Sequence, residues 1–325
     1  MVSPAASPDT RLAFVYETFG APPEVLRMRE LPVAELGAGR LRVAMSLVPV
    51  NPSDLIPMTG AYAHRIRLPA IAGYEGVGRV IAAGAGGSSL IGRRVLPLHG
   101  EGTWQTLVEC NARHAVPVPD DVPDVLAARG YINPLAALIM LRLWPVKGRT
   151  VLLSGAGSSC ADYLGFWALR QGAERVIGLH RSENRIARLK ALGIEPVPLT
   201  DQVRIDRAAR QADVTFDAIG GPVASRILGM MGEGASFVGY GLLSGEPVVA
   251  PPDLRAAFKR FHLRDHLAHL PDRDWAASFD DLWPLLRTMT LPEVHIHRFT
   301  EWRRALAEVG KRGARKPILD FSEAG

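Results

Sequence analysis

Ser154-Gly155-Ala156-Gly157-Ser158-Ser159 is a stretch whose residue types and spacing suit chemistry. Two glycines one residue apart let a backbone turn tightly, and its N–H groups can then meet an anion where a helix begins. Residues 150–153 before the turn read as a short apolar strand, the segment after it is helix-compatible as far as Gly172, and residues 175–179 read as a second strand. Strand, glycine turn, helix and strand within about 30 residues form the βαβ unit that seats the pyrophosphate of a dinucleotide. An unmodified ribose is held by Asp or Glu after the second strand, whereas a 2′-phosphate needs a cation. Here the strand runs into His180, Arg181 and, a turn later, Arg185, which favours NADPH over NADH. The competing reading is that both arginines are solvated residues at a helix start.

The elements around this turn continue the pattern. A helix over 127–143 leads in, and strands at 196–199, 214–219 and 235–239 alternate with helices at 202–210 and 222–231. Such alternation implies a doubly wound parallel sheet. Upstream, residues 12–50 read as strands separated by Gly and Pro, residues 51–54 as a helix start, and 80–83, 94–98 and 103–109 as further strands. The expected boundaries are a β-rich domain over residues 1–119 and 260–325 and a nucleotide domain over 120–259. The tail contributes Trp283, a helix over 302–309 and a strand over 317–321.

Bulk composition narrows the function classes. The 325 residues, 47% apolar and 22% charged, suit a soluble globular protein. The net charge of +5 comes without a basic tract, so no nucleic-acid partner is expected. No apolar run reaches bilayer length and the N-terminus has no signal-peptide pattern, so no membrane partner is expected. Two cysteines cannot build a four-cysteine zinc site, and they fit a reducing cytoplasmic location. His262, His266 and His269 would share a helix face and His295 and His297 a strand face. With no acidic or cysteine partner at ligand spacing, no metal is expected.

Further signatures are Asn51-Pro52-Ser53-Asp54, Gly60-x-Tyr62, Leu68-Pro69-Ala70, Glu75-Gly76-Val77, Gly102-Thr103-Trp104, Asn133-Pro134, Gly220-Gly221, Gly239-Tyr240-Gly241, Phe258-Lys259, Leu263-Arg264 and Lys316. In this order the chain resembles the zinc-free medium-chain dehydrogenase/reductase superfamily. It is most similar to 2-enoyl thioester (enoyl-CoA or enoyl-ACP) reductases and next to quinone oxidoreductases. The resemblance implies an α/β fold, with a Rossmann-type doubly wound parallel sheet domain beside a GroES-like β-rich catalytic domain, and a homodimer joined through edge strands.

By the same resemblance Tyr62 matches the tyrosine that donates a proton or orients the carbonyl when an α,β-unsaturated thioester accepts hydride at its β-carbon. A tyrosine hydroxyl, with a reference pKa of about 10, is protonated at neutral pH and suits that task. Asn51 could hold the nicotinamide or the reacting centre, or be only a turn residue before proline. Asn133, Gly155, Ala156, Gly157, Ser158, Ser159, Arg181, Arg185, Tyr240, Gly241, Leu242 and Lys316 match NADPH-lining positions, and Trp104, His266 and Leu267 match the substrate pocket. The family's catalytic zinc histidine is replaced in Gly73-Tyr74-Glu75, and no cysteine precedes it near Asn51. Ser159 and Ala161 stand where glycines are common, Ala136 where a hydroxyl is common, and His266-Leu267 where an aromatic pair is usual. The expected substrate is an acyl thioester or another small molecule; the alternatives are a quinone acceptor and a non-enzymatic NADPH-binding protein.

Overall fold

The early chain folds as strands because its apolar residues recur between glycine and proline breaks. In order these are β1 (Thr10–Tyr16), β2 (Leu26–Pro32), β3 (Arg40–Pro49), β4 (Ala70–Ile71), β5 (Val77–Ala83), β6 (Arg94–Pro97), β7 (Leu107–Asn111) and β8 (Ala115–Pro117). The short helices α1 (Pro22–Val25), α2 (Pro52–Leu55) and α3 (Asp124–Ala127) are set among and after them. This is a computed structural model, and it describes residues 9–61, 63–268, 270–311 and 313–323.

Contacts divide the chain into two units, Met1–Ile132 with Pro271–Gly325, and Asn133–Leu270. The sequence suggested breaks near 119 and 259. Residues 119–132 stay with the first unit because Arg94 binds the carbonyls of Pro119, Asp120 and Val122 and the Asp124 carboxylate, while Glu75 binds Tyr131 and Ile132. The single helix expected over 127–143 is interrupted: α3 ends at Ala127 and α4 is Ile132–Leu143. At Gly130, between them, a Cβ would lie 3.3 Å from the Trp283 ring.

The second unit follows in chain order as β9 (Thr150–Leu153), α5 (Ser159–Arg170), β10 (Arg175–His180), α6 (Ile186–Ala191), β11 (Glu195–Pro198), α7 (Gln202–Gln211), β12 (Val214–Asp217), α8 (Gly221–Met230), β13 (Ser236–Gly239), β14 (Ala257–Arg260) and α9 (Leu263–Leu267). Its strands are all parallel in the order β11-β10-β9-β12-β13-β14, which is the doubly wound dinucleotide-binding order with the switch between β9 and β12. Leu152, Ile177, Leu179, Phe237, Ile205 and Ile227 pack together in one apolar core.

The first unit is completed by α10 (Asp272–Arg287), β15 (Val294–Arg298), α11 (Trp302–Glu308) and β16 (Lys316–Asp320). β16 lies antiparallel on β3, which also pairs with β5 and β7. The long sheet runs β15-β16-β3-β5-β6-β8, with a small sheet β2-β1-β4 beside it. Phe14, Trp104, Trp302 and Phe321 fill the core. Among the described residues no helix is long and apolar enough to cross a membrane.

Candidate functional site

In the second unit the chain leaves β9 through Ser154, whose hydroxyl bonds the Asp217 carboxylate at the end of β12 and accepts from the Ala218 N–H at 2.9 Å. Asp217 also accepts from the N–H groups of Ile219 at 3.2 Å and Gly220 at 3.0 Å. Both side chains are wholly buried, and burial pushes the Asp217 carboxyl above its ordinary range. These bonds fix the two strand ends between which a doubly wound sheet opens its ligand crevice. Ser154 was read only as the start of the turn, and Asp217 was not foreseen, although it closes a strand three residues before a glycine pair.

Gly155 has φ +60°, a left-handed conformation that favours glycine. At Gly157 a Cβ would meet only the Arg185 side chain, at 3.5 Å or more. Ser158 caps α5 by accepting from the Ala161 N–H at 3.3 Å. The first turn of a helix leaves N–H groups without intrahelical acceptors, and they suit a pyrophosphate. Tyr240 and Gly241 donate backbone N–H groups to the Asp217 carbonyl at 2.8 and 3.2 Å. Gly241 has no room for a Cβ, which would lie 2.6 Å from the Ala218 carbonyl oxygen.

The Tyr240 hydroxyl is buried beside Ser158 and Cys160 with no hydrogen bond of ordinary distance and angle. Burial, chiefly, raises its pKa well above the usual value. A buried polar atom left this way fits a bound polar ligand. Of the expected cofactor residues, the structure thus gathers Gly155, Ala156, Gly157, Ser158, Ser159, Arg185, Tyr240 and Gly241 around the carboxyl ends of the strands. Arg181 is exposed just past β10, and Leu242 is partly exposed, with a side-chain carbon 3.1 Å from the place of a Gly220 Cβ. The Asn133 carbonyl accepts from the Cys160 thiol at 3.6 Å.

Lys316 belongs to the other unit. Its ammonium donates to Asn51 Oδ1, and Asn51 Nδ2 donates to Glu75 Oε1 at 2.8 Å. Glu75 Oε2 accepts from the N–H groups of Tyr131 at 3.2 Å and Ile132 at 2.7 Å, and the Asp54 carboxylate accepts from the Asn51 N–H at 2.7 Å. Asn51, Asp54 and Glu75 are each no more than 2% exposed. Burial pushes Glu75 up and Lys316 down from their ordinary values, and carries Asp54 up to about 7. Asn51 is therefore the link of a buried polar chain, with both ends of its amide engaged. In the structure its side chain joins Lys316 to Glu75.

Tyr62 and His269 lie outside the described residues. Trp104, expected to line a substrate pocket, is wholly buried in the core, edge-on to Phe14 at 6.4 Å between ring centroids. Gly73, with φ +90°, leaves the space its indole occupies. Leu267 is buried in the second unit, and the half-buried His266 ring lies 6.4 Å from that of Phe261. In the first unit, Glu308 of α11 supplies the acidic partner that the sequence did not show for His295 and His297.

Residues 37–120 match the alcohol dehydrogenase GroES-like domain. The mitochondrial enoyl acyl-carrier-protein reductase of Arabidopsis thaliana is 31% identical over 332 residues, covering 95% of this chain and 88% of that protein. The Homo sapiens enzyme of the same name is 31% identical over 278 residues, covering 81% of this chain and 74% of its own. A solved structure from Bacillus thuringiensis, described provisionally as an NADPH:quinone reductase, superposes with a TM-score of 0.90 at 32% identity, covering 96% of this chain and 99% of that one.

Proposed function

The chain belongs to the zinc-free medium-chain dehydrogenase/reductase superfamily, as an oxidoreductase with enoyl reductase and quinone reductase relatives, and from that membership we propose that it is an NADPH-dependent reductase of α,β-unsaturated acyl thioesters. The observation that carries the cofactor is the glycine turn with Arg185 lying across Gly157 and Arg181 at the end of β10, where a carboxylate would oppose a 2′-phosphate. A nicotinamide held there would supply the hydride that the β-carbon of the acceptor takes up. The first turn of α5 would bind the pyrophosphate, and Arg181 and Arg185 would hold the 2′-phosphate by charge-assisted bonds. Charge develops on the thioester oxygen and α-carbon as hydride arrives. The Tyr62 hydroxyl stabilises that charge and delivers a proton, while the buried Asn51 network fixes the start of the segment leading to it.

The two mitochondrial relatives support the thioester acceptor, and the Bacillus thuringiensis likeness favours a quinone as the second reading. Initial rates with a crotonyl thioester and with a small quinone, each with NADPH and with NADH, separate them. The expected result is NADPH-dependent crotonyl reduction that falls about 100-fold or more in Tyr62→Phe while NADPH binding is retained. Quinone reduction that outpaces it and ignores Tyr62→Phe establishes the second reading. NADPH binding with no acceptor turned over refutes both. A homodimer paired along β11 or β14, the edges of the parallel sheet, is the proposed assembly, and sedimentation at micromolar concentration tests it.

A further inference from the structure

His295 and His297 alternate on β15, so their side chains share one face of that strand, and the strand is an edge of its sheet. Their rings lie 4.0 Å apart between centroids. Glu308, the last residue of α11, reaches both. His295 Nδ1 is 2.9 and 3.1 Å from its two carboxylate oxygens, and His297 Nε2 is 3.2 Å from one of them. From these three residues, one donor atom each can be chosen so that all lie within 4.8 Å of one another, and among the described residues this is the one such cluster of three or more His, Cys, Asp or Glu.

From this arrangement we propose that His295, His297 and Glu308 bind a divalent transition-metal ion of the zinc type, outside the machinery assigned to reduction. The donor chemistry narrows the ion. Two imidazoles and a carboxylate are a zinc donor set, magnesium and calcium prefer oxygen alone, and the softest ions need thiolates. Both described thiols, Cys110 and Cys160, are buried elsewhere.

The spacing fits as well. Metal–nitrogen and metal–oxygen bonds of about 2.0–2.2 Å at a tetrahedral angle separate neighbouring ligands by about 3.3–3.6 Å. The nitrogen–oxygen distances are already within a few tenths of that range. Any remaining nitrogen–nitrogen excess closes by rotation of His295, whose side chain is 53% exposed, toward the buried His297.

The scaffold holds the two fixed ligands in place. β15 is registered on β16, with His295 opposite Pro317 and His297 opposite Leu319. The helix carrying Glu308 is anchored by buried Trp302, Ala305 and Leu306. Three protein ligands leave the fourth position open on the exposed His295 side, and the bound ion clips the end of α11 to the edge strand.

The test is calorimetric titration of ZnCl2 into the untagged, chelator-stripped full chain, with Co2+ absorption as a second probe. The expected result is one equivalent of Zn2+ bound in the presence of excess Mg2+ and a Co2+ spectrum of a four-coordinate nitrogen and oxygen site. His295→Ala, at an exposed position that leaves the fold intact, and Glu308→Gln should each weaken Zn2+ at least tenfold and remove the Zn2+-dependent rise in Tm. Absence of saturable binding, or binding unchanged in both variants, overturns the proposal. So does loss of binding in His297→Ala alone with His295→Ala unaffected, because the site needs both imidazoles.

Discussion

Asp54 gives the sharpest test of the buried polar chain. Its carboxyl accepts from the Asn51 N–H at 2.7 Å, while Oδ1 has no partner. Burial, opposed by the Asn51 bond, raised further by the Glu75 charge and lowered by Lys316, moves the pKa from 3.8 to about 7. In an acid whose folded pKa is raised, the unfolded chain releases its proton first. Folding stability therefore falls as pH rises from about 4 to about 7, and the loss is complete above that. At about 1.4 kcal/mol per pH unit, the loss reaches about 4 kcal/mol at pH 8 and about 1.6 kcal/mol at pH 5. Asp54→Asn cannot ionise, so it removes this slope and leaves a pH-independent offset from the changed hydrogen bonding.

Guanidinium unfolding of the native chain and of Asp54→Asn, followed by tryptophan fluorescence at pH 5, 6, 7 and 8, reads the difference. Relative to the native chain the variant should gain about 1.5–3 kcal/mol between pH 5 and pH 8, the lower figure applying where Glu75 and Lys316 share the proton. Parallel stability curves for the two proteins would mean that Asp54 is ionised throughout, and the account of the network would fail.

Arg185→Ala should raise KM for NADPH roughly 10- to 100-fold, by loss of one charge-assisted bond of about 1.5–3 kcal/mol, and leave KM for NADH nearly unchanged in steady-state assays. Gly73→Ala should lower Tm steeply or prevent folding, because the new Cβ would lie 2.1 Å from Trp104 Cδ1 at a backbone φ of +90°; thermal denaturation measures it. Burial pushes the Cys110 and Cys160 thiols up to about 12, so both should resist a disulfide-exchange reagent at pH 8 in the folded chain and react promptly in denaturant.

What the sequence made legible is local. Gly155 and Gly157 fall between a strand that ends at Leu153 and a helix that starts at Ser159, so their backbone role reads directly from spacing, and the alternation after them yields the parallel sheet. The break at Gly130 was hidden because Ala127, Ala128 and the apolar run from Leu135 continue a helical pattern. What interrupts it is the distant Glu75 carboxylate on Tyr131 and Ile132 and the Trp283 ring beside Gly130. The seat of Trp104 was hidden for the same kind of reason: Gly73, 31 positions earlier, makes room for its indole in the core.

The buried polar chain shows why such sites escape a reading by residue type. Asn51 before a proline reads as a turn and Glu75 in Gly-Tyr-Glu stands beside a replaced zinc histidine, both readings taken from neighbours in sequence, whereas the bonds that fix these groups, with Lys316, join residues 24 and 265 positions apart. Two carboxyls, an amide and an ammonium out of water are costly individually, and removing one partner of such a set leaves the others uncompensated. The network therefore binds β16, the start of α2 and the segment after β4 into a single unit of stability. That coupling explains why a tail from far along the chain returns to complete the β-rich unit, and why the segment that carries Tyr62 begins from a point the fold cannot easily move.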